Sequence, residues 1–238
     1  MKPLLILLLC LYTAPAEAQR QFTFPKLAKQ AKDISSLIPP QWHAIDTAYG
    51  DLNGDKAEDM VLVLEYDHEI REQRAYGDNI TEIIAEQQRP RILAAYFGIR
   101  DRQAFTLALQ NNDFVLRANE GGKIGDPYRS VAIEAGALSL SFAGGNNWRW
   151  DLKYGFRYKG TAWVLTEAFS RYFHQDTGEM TSRTFDFILQ EVDVVSGNIH
   201  NRAAGNHEFR ESLRDEPLRT FKTFKKPWAW EILPDTYL

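Results

Sequence analysis

Trp150, Leu152, Tyr154, Phe156 and Tyr158 alternate with Arg149, Asp151, Lys153, Arg157 and Lys159. That period of two puts the apolar side chains on one face of an extended chain and the charges on the other, which predicts a strand with one buried and one wet face. The same alternation recurs at Leu138, Leu140 and Phe142, and at Phe185, Phe187 and Leu189. It also appears where Phe105, Leu107 and Leu109 face one way and Ala104, Thr106 and Ala108 the other. Turn-forming residues separate these stretches: Gly144, Gly145, Asn146 and Asn147 before Trp148, Lys159 and Gly160 before Trp163, and residues 174–178 after Phe169. Strands that follow one another through short polar turns form an antiparallel meander, in which only one sheet face need be buried.

Elsewhere the pattern changes. Residues 60–64 are an unbroken apolar run, too short for a helix, and predict a strand buried on both faces. Residues 19–40 show a weak apolar spacing of Leu27, Ala31, Ile34 and Leu37 that stops at Pro39 and Pro40, which predicts a short helix or lead-in segment. Between Tyr66 and Arg91 the charges of Asp67, His68, Glu69, Arg71, Glu72 and Arg74 suggest an inserted surface loop. Within it, Asp78 or Asn79 caps an expected brief helix through Ile83 and Ala85, ended by Pro90. The C-terminal aromatics Phe221, Phe224, Trp228 and Trp230 are expected to pack on the sheet. The expected fold is therefore mainly β: antiparallel meander sheets, propeller-like or sandwich, with a short N-terminal helix.

Residues 1–18 alter the compartment. A lone Lys2, an apolar stretch over 4–12, and Ala16 and Ala18 around Glu17 form a signal-peptide pattern, so cleavage is expected after Ala18. The apolar stretch is far short of the roughly 20 residues that span a bilayer, so a cleaved leader is expected and not a permanent anchor, and no transmembrane segment is expected in the mature chain. Cys10 is the only cysteine and lies inside that leader. A mature chain without thiols can hold neither a disulfide nor a cysteine-ligated zinc, and its core must stabilise it. The expected organisation is a signal peptide at 1–18, a lead-in segment at 19–40 and a single β-rich domain at 41–238, secreted or periplasmic.

Charge narrows the partners. Twenty-eight basic against 32 acidic residues leave no positive field for phosphates, so nucleic acid is excluded as a main partner. Enzymatic signatures are also missing: the five histidines show no HExxH spacing, and there is neither a GxSxG elbow nor a P-loop. His174 with Asp176 and Glu179 forms a turn cluster, and paired carboxylates work as acid and base only at a defined separation. Trp148, Trp150 and Trp163 suggest a carbohydrate-binding face, although aromatics at period two normally form the core. Trp148 has the opposite parity and is expected at the hairpin mouth, exposed.

One motif carries chemistry. Asp51, Asn53, Asp55 and Asp59 place oxygen side chains at positions one, three, five and nine of a loop over 51–59, with the Ala57 carbonyl at position seven. Calcium takes six to eight such oxygens, and alternate residues of a curling loop can direct them inward. An EF-hand would need a bidentate glutamate at position twelve, where Leu62 stands, and an exiting helix where this chain has an apolar run. A calcium loop running straight into a buried strand resembles the FG-GAP, or integrin-α-propeller, type of repeat over residues 48–64. That family has glycine at the sixth position, occupied here by Lys56, while Gly54 falls earlier; Lys56 must therefore point outward. The resemblance implies a structural calcium ion.

The turn at 144–148, the strand through Phe156 and the segment 173–178 look similar to a group of uncharacterised bacterial secreted proteins that carry one such loop near the N-terminus. That resemblance implies a fold and a compartment but no reaction. Only one copy of the loop spacing occurs, and seven four-stranded blades at about 5 to 6 residues per strand exceed this length. The expected function is a non-enzymatic binding or interaction protein of the cell envelope with a structural Ca2+ loop. A glycan or an envelope protein is the expected partner, and a carbohydrate-binding module or a hydrolase is the alternative.

Overall fold

The computed structural model describes residues 22–75, 83–100, 104–201, 203, 205–213 and 216–238. The expected leader at 1–18, with Cys10 and its cleavage position, lies outside them. Seven strands occupy the first half: β1 (Gln30–Ala31), β2 (Trp42–Gly50), β3 (Asp59–Tyr66), β4 (Ile70–Ala75), β5 (Ile83–Gln88), β6 (Arg91–Ile99) and β7 (Ala104–Asn111). Five of them form an antiparallel sheet in the order β1-β7-β6-β3-β2, and β4 and β5 project from it as a separate ribbon. The second half supplies β8 (Tyr128–Glu134), β9 (Ala137–Gly145), β10 (Trp148–Lys159), β11 (Ala162–His174), β12 (Glu179–Asp186), β13 (Glu191–Asn198) and β14 (His207–Ser212). These pair strictly in sequence order, a seven-stranded meander. A short hairpin, β15 (Glu231–Leu233) and β16 (Thr236–Tyr237), ends the chain. The protein is mainly β, built of antiparallel sheets without a closed barrel, and a 3-10 turn at Ser35–Leu37 stands where the short N-terminal helix was expected.

The apolar run 60–64 is unbroken because β3 is covered on both sides. Val61 and Val63 join Leu93 and Ala95 of β6 in a core shared with Leu138, Leu140, Leu152, Tyr154 and Phe156 of the meander. On the opposite face, Met60, Leu62 and Leu64 meet Trp42 of β2 and Leu27 and Leu37 of the lead-in segment, which lies across the sheet. Burying both faces removes the need for alternation. Of the two architectures left open by the sequence, two sheets sharing one core match the sandwich rather than repeated blades. The C-terminal aromatics complete that core: Phe221 stacks on Phe156 at 3.9 Å, and Trp230 stacks on Phe187 at 5.5 Å.

Several features differ from the sequence pattern. The strand expected through Phe185, Phe187 and Leu189 is β12 only as far as Asp186; Phe187 is buried, but the chain turns there to meet β13 and leaves Leu189 65% exposed. On β7, Leu107 packs with the outer cluster and Leu109 with the shared core, although the alternation placed them on one face. The cause is a register shift opposite Ala95 and Tyr96, which pair with Leu109 and Leu107 and leave Ala108 as the extra residue of a bulge. The brief helix expected through Ile83 and Ala85 is instead strand β5, paired with β4 from Ile70↔Gln88 to Ala75↔Ile83. Its expected cap at Asp78 or Asn79 lies outside the described residues. Local propensity lost here to pairing between the two strands.

Candidate metal-binding loop

The loop over 51–59 is organised by its own side chains. Asp51 accepts the Gly54 N–H at Oδ1 (2.7 Å) and the Lys56 N–H at Oδ2 (2.9 Å). Asn53 Oδ1 accepts from the Asp55 N–H (2.9 Å), and Asp55 Oδ1 accepts from the Ala57 N–H (2.7 Å). Successive oxygens capture N–H groups two to five residues on, which curls the backbone into a tight spiral. Burial alone would raise the Asp51 carboxyl, but the N–H groups of Lys56 and Gly54 outweigh it and hold the group below the usual carboxylate range.

Lys56 occupies the position where the FG-GAP pattern has glycine, and it adopts φ +64°, the left-handed conformation that glycine takes freely. The turn keeps the shape that the pattern requires and imposes backbone strain on a lysine. The Lys56 side chain is exposed and borders a recess of about 390 Å³ lined also by Lys32, Gly98, Arg100 and Phe105.

Asp59 ends the loop and begins β3. It is fully buried; Oδ2 accepts the Leu52 N–H at 2.7 Å and Oδ1 the Gly98 N–H at 2.9 Å. One carboxylate thus ties both ends of the loop to β6. Gly98 permits this approach: a Cβ there would lie 2.2 Å from the Glu58 carbonyl oxygen. Sequence reasoning missed Gly98, although a lone glycine in an apolar strand signals a close backbone approach. Burial pushes the Asp59 carboxyl above its ordinary value against the pull of those two N–H groups, and the Asp55 and Asp51 charges push the same way. No basic side chain forms an ion pair with Asp59 among the described residues.

The donor set is all oxygen, which suits a hard cation, and a carboxylate oxygen holding one N–H retains a second lone pair. As folded, the loop closes on its own N–H groups, and no group of three His, Cys, Asp or Glu side chains gathers as a metal site among the described residues.

A second charged assembly was not visible in the sequence. Arg117, 0% exposed, donates to Glu72 from Nε (3.0 Å) and Nη2 (2.9 Å) and to the Val115 carbonyl from Nη1 (2.6 Å). Buried Arg74 donates from Nε to Glu120 (2.7 Å), whose Oε2 also accepts the Arg117 N–H (2.7 Å). Arg91 donates from Nη2 to Glu65 (2.6 Å) and also pairs with Asp126. These contacts pin the β4–β5 ribbon and the segment around Arg117 to the first sheet, so the charged stretch after Tyr66 is partly core rather than a surface loop. Burial, followed by the neighbouring Arg74 charge, lowers the Arg117 pKa.

The remaining candidates are surface features. Trp148 is 48% exposed at the mouth of the β9–β10 hairpin, edge-on to His174 at 5.1 Å. Trp163 is buried and Trp150 packs on Trp228 at 4.7 Å, so the three tryptophans form no common face. His174 Nδ1 accepts the Thr177 N–H (3.2 Å), a turn contact, and His200 Nε2 meets the Gln175 carbonyl at 2.7 Å. Among the described residues no helix is long and apolar enough to cross a membrane. No protein-family model, curated protein or solved structure matches the chain.

Proposed function

We propose that the protein is a non-catalytic, secreted or periplasmic protein of the cell envelope whose loop over 51–59 takes calcium as a structural clasp. The observation that carries this reading is Asp59: a buried carboxylate, the ninth position of an oxygen-bearing loop, bound by two N–H groups and without a basic partner among the described residues. Asp51, Asn53, Asp55, the Ala57 carbonyl and Asp59 would hold the ion. Calcium would supply positive charge to Asp59, on which the Asp55 and Asp51 charges act with its own sign. The protein's own part is to preorganise the loop through Asx-type turns and to lock its end to β6 at Gly98. The leader pattern at 1–18 supports export, and calcium outside the cell is abundant enough for a site of roughly 10⁻⁴ to 10⁻³ M affinity.

Thermal unfolding with millimolar calcium and with chelator tests the reading. An ion that binds only the folded state stabilises by mass action, about 2.7 kcal/mol at a hundredfold excess over Kd. Calcium is expected to raise Tm for the wild type and not for Asp55→Ala. An unchanged wild-type Tm in calcium would leave the loop a turn and nothing more.

The exposed Trp148 favours a second reading, in which a glycan stacks at the hairpin mouth. Titration with cell-wall polysaccharides should then shift the tryptophan fluorescence of the wild type and not of Trp148→Ala.

A further inference from the structure

A sheet edge displays unpaired N–H and C=O groups, and proteins blunt such edges with bulges, prolines, lysines or covering segments. Three of the four edges of the two large sheets are managed in this way. β1 is only two residues long. β2 carries a register shift between Ala44 and Asp46 and lies against β8, where the Asp46 carboxylate accepts the Tyr128 hydroxyl (2.8 Å) and the Val131 N–H (3.0 Å). β8 is itself irregular between Tyr128 and Ser130.

Among the described residues, β14 has no bulge, proline, lysine or covering segment, and only the charges of Glu208, Arg210 and Glu211 guard it. Its six residues pair with β13 from Glu191↔Ser212 to Ser196↔His207 without a register shift, all six are exposed, and the strand contains neither proline nor lysine. The phase of its outer edge follows from one bond. The Leu213 N–H donates to the Gln190 carbonyl at 2.9 Å, so antiparallel alternation turns the N–H and C=O groups of Phe209 and Glu211 toward β13. Those of Glu208 and Arg210 therefore point outward.

We propose that β14 pairs with β14 of a second copy of this chain, antiparallel about a two-fold axis at Phe209, joining the two meanders into one continuous sheet. Outward-facing residues must meet outward-facing residues, so the axis has to pass through a residue and not between two. An axis at Glu208 would set that carboxylate against itself, and one at Arg210 would oppose two guanidinium groups. The axis at Phe209 sets Glu208 opposite Arg210, twice, so opposite charges meet there, and it sets Glu211 opposite the His207 imidazole, a hydrogen-bonding partner, instead of another carboxylate. Phe209 then meets its own copy at a non-hydrogen-bonded pair, where side chains approach most closely. It is 40% exposed in the single chain and lies opposite Val194 of β13, at the margin of the core. The contact is isologous and closes at a dimer, which removes the free edge instead of propagating it.

Sedimentation equilibrium of the whole protein over about 1 to 200 µM tests this, a range suited to an interface of micromolar strength. The wild type is expected to form a reversible dimer. Glu208→Pro removes an outward N–H and leaves the ladder to β13 intact, and Glu208→Arg opposes two cations at each end. Both are expected to raise the dissociation constant by about tenfold or more, with Tm of the monomer unchanged. In a Cys10→Ser background, Phe209→Cys should give a disulfide-linked dimer on oxidation and Glu211→Cys should not. A wild type that stays monomeric throughout, dimerisation unaffected in both Glu208 variants, or cross-linking at Glu211 in place of Phe209 would each overturn the proposal.

Discussion

Asp59 and Arg117 are both sealed from solvent, and they are satisfied in opposite ways. Arg117 faces a carboxylate, Glu72, that offers it two hydrogen bonds and a counter-charge. Asp59 faces two backbone N–H groups, and the charges that act on it, those of Asp55 and Asp51, carry its own sign. Hydrogen bonds to a buried carboxylate offset part of its desolvation cost without cancelling its charge, and one N–H on each oxygen leaves a lone pair free on each. The arginine assembly is therefore electrically complete and reads as architecture, while the Asp59 carboxylate has no counter-charge among the described residues. This difference, more than the motif itself, separates a structural ion-pair network from a candidate binding site.

The comparison is broken most severely by removing a counter-charge. Glu72→Met strands a buried guanidinium beside Arg74 and is expected to cost about 3 to 5 kcal/mol in urea unfolding. Replacing Glu72 and Arg117 together by methionine should recover most of that loss, because no uncompensated charge remains. If the single and double replacements cost the same, packing rather than charge dominates the ribbon.

The loop should respond to calcium where the arginines do not. Asp59→Ala is expected to lose about 1 to 3 kcal/mol more in saturating calcium than in chelator, whereas Glu58→Ala, with its exposed side chain, should lose little in either. Denaturant titration resolves that difference. Lys56→Gly relieves the left-handed strain and should stabilise the protein by about 1 kcal/mol, measured in the same way.

The finest distinction is one of sign with pH. Burial raises Asp59 above the ordinary 3.8, so the native state holds its proton more tightly than the unfolded chain. In chelator, the stability of the wild type relative to Asp59→Asn should be greatest below pH 3.8 and fall as pH rises through the native pKa. Asp126 is the reverse: burial would raise it, but Arg91 overrides burial and holds it below 3.8. Stability relative to Asp126→Asn should be present above pH 3.8 and fall as pH drops through the native pKa. Parallel pH profiles for the two variants would remove the contrast.

Much of the meander was legible because alternation is local. Leu152, Tyr154 and Phe156 share one face of β10 and all enter the core, as their spacing required. The bulge at Ala108 was not legible, since nothing in an alanine marks where a ladder will skip. The buried arginines were hidden for another reason: Glu72 and Arg117 lie 45 residues apart, and charged side chains in a polar stretch look like surface until their partners are known. In the loop, the spacing marked Asp51 to Asp59, but Gly98 entered the site only through the β3–β6 pairing.

By itself the sequence determined the buried run of β3, the strands β9 and β10 with their apolar faces, and the oxygen-bearing spiral before β3. These follow from the two-residue period of an extended chain and from side chains capturing nearby N–H groups. Only the tertiary structure decided that the lead-in segment covers the second face of β3, that three arginines are core residues, and that Asp59 is buried without a basic partner among the described residues. Those outcomes depend on which distant segments meet. Burial of a charge is costly or harmless according to what lies opposite, and no local pattern records that.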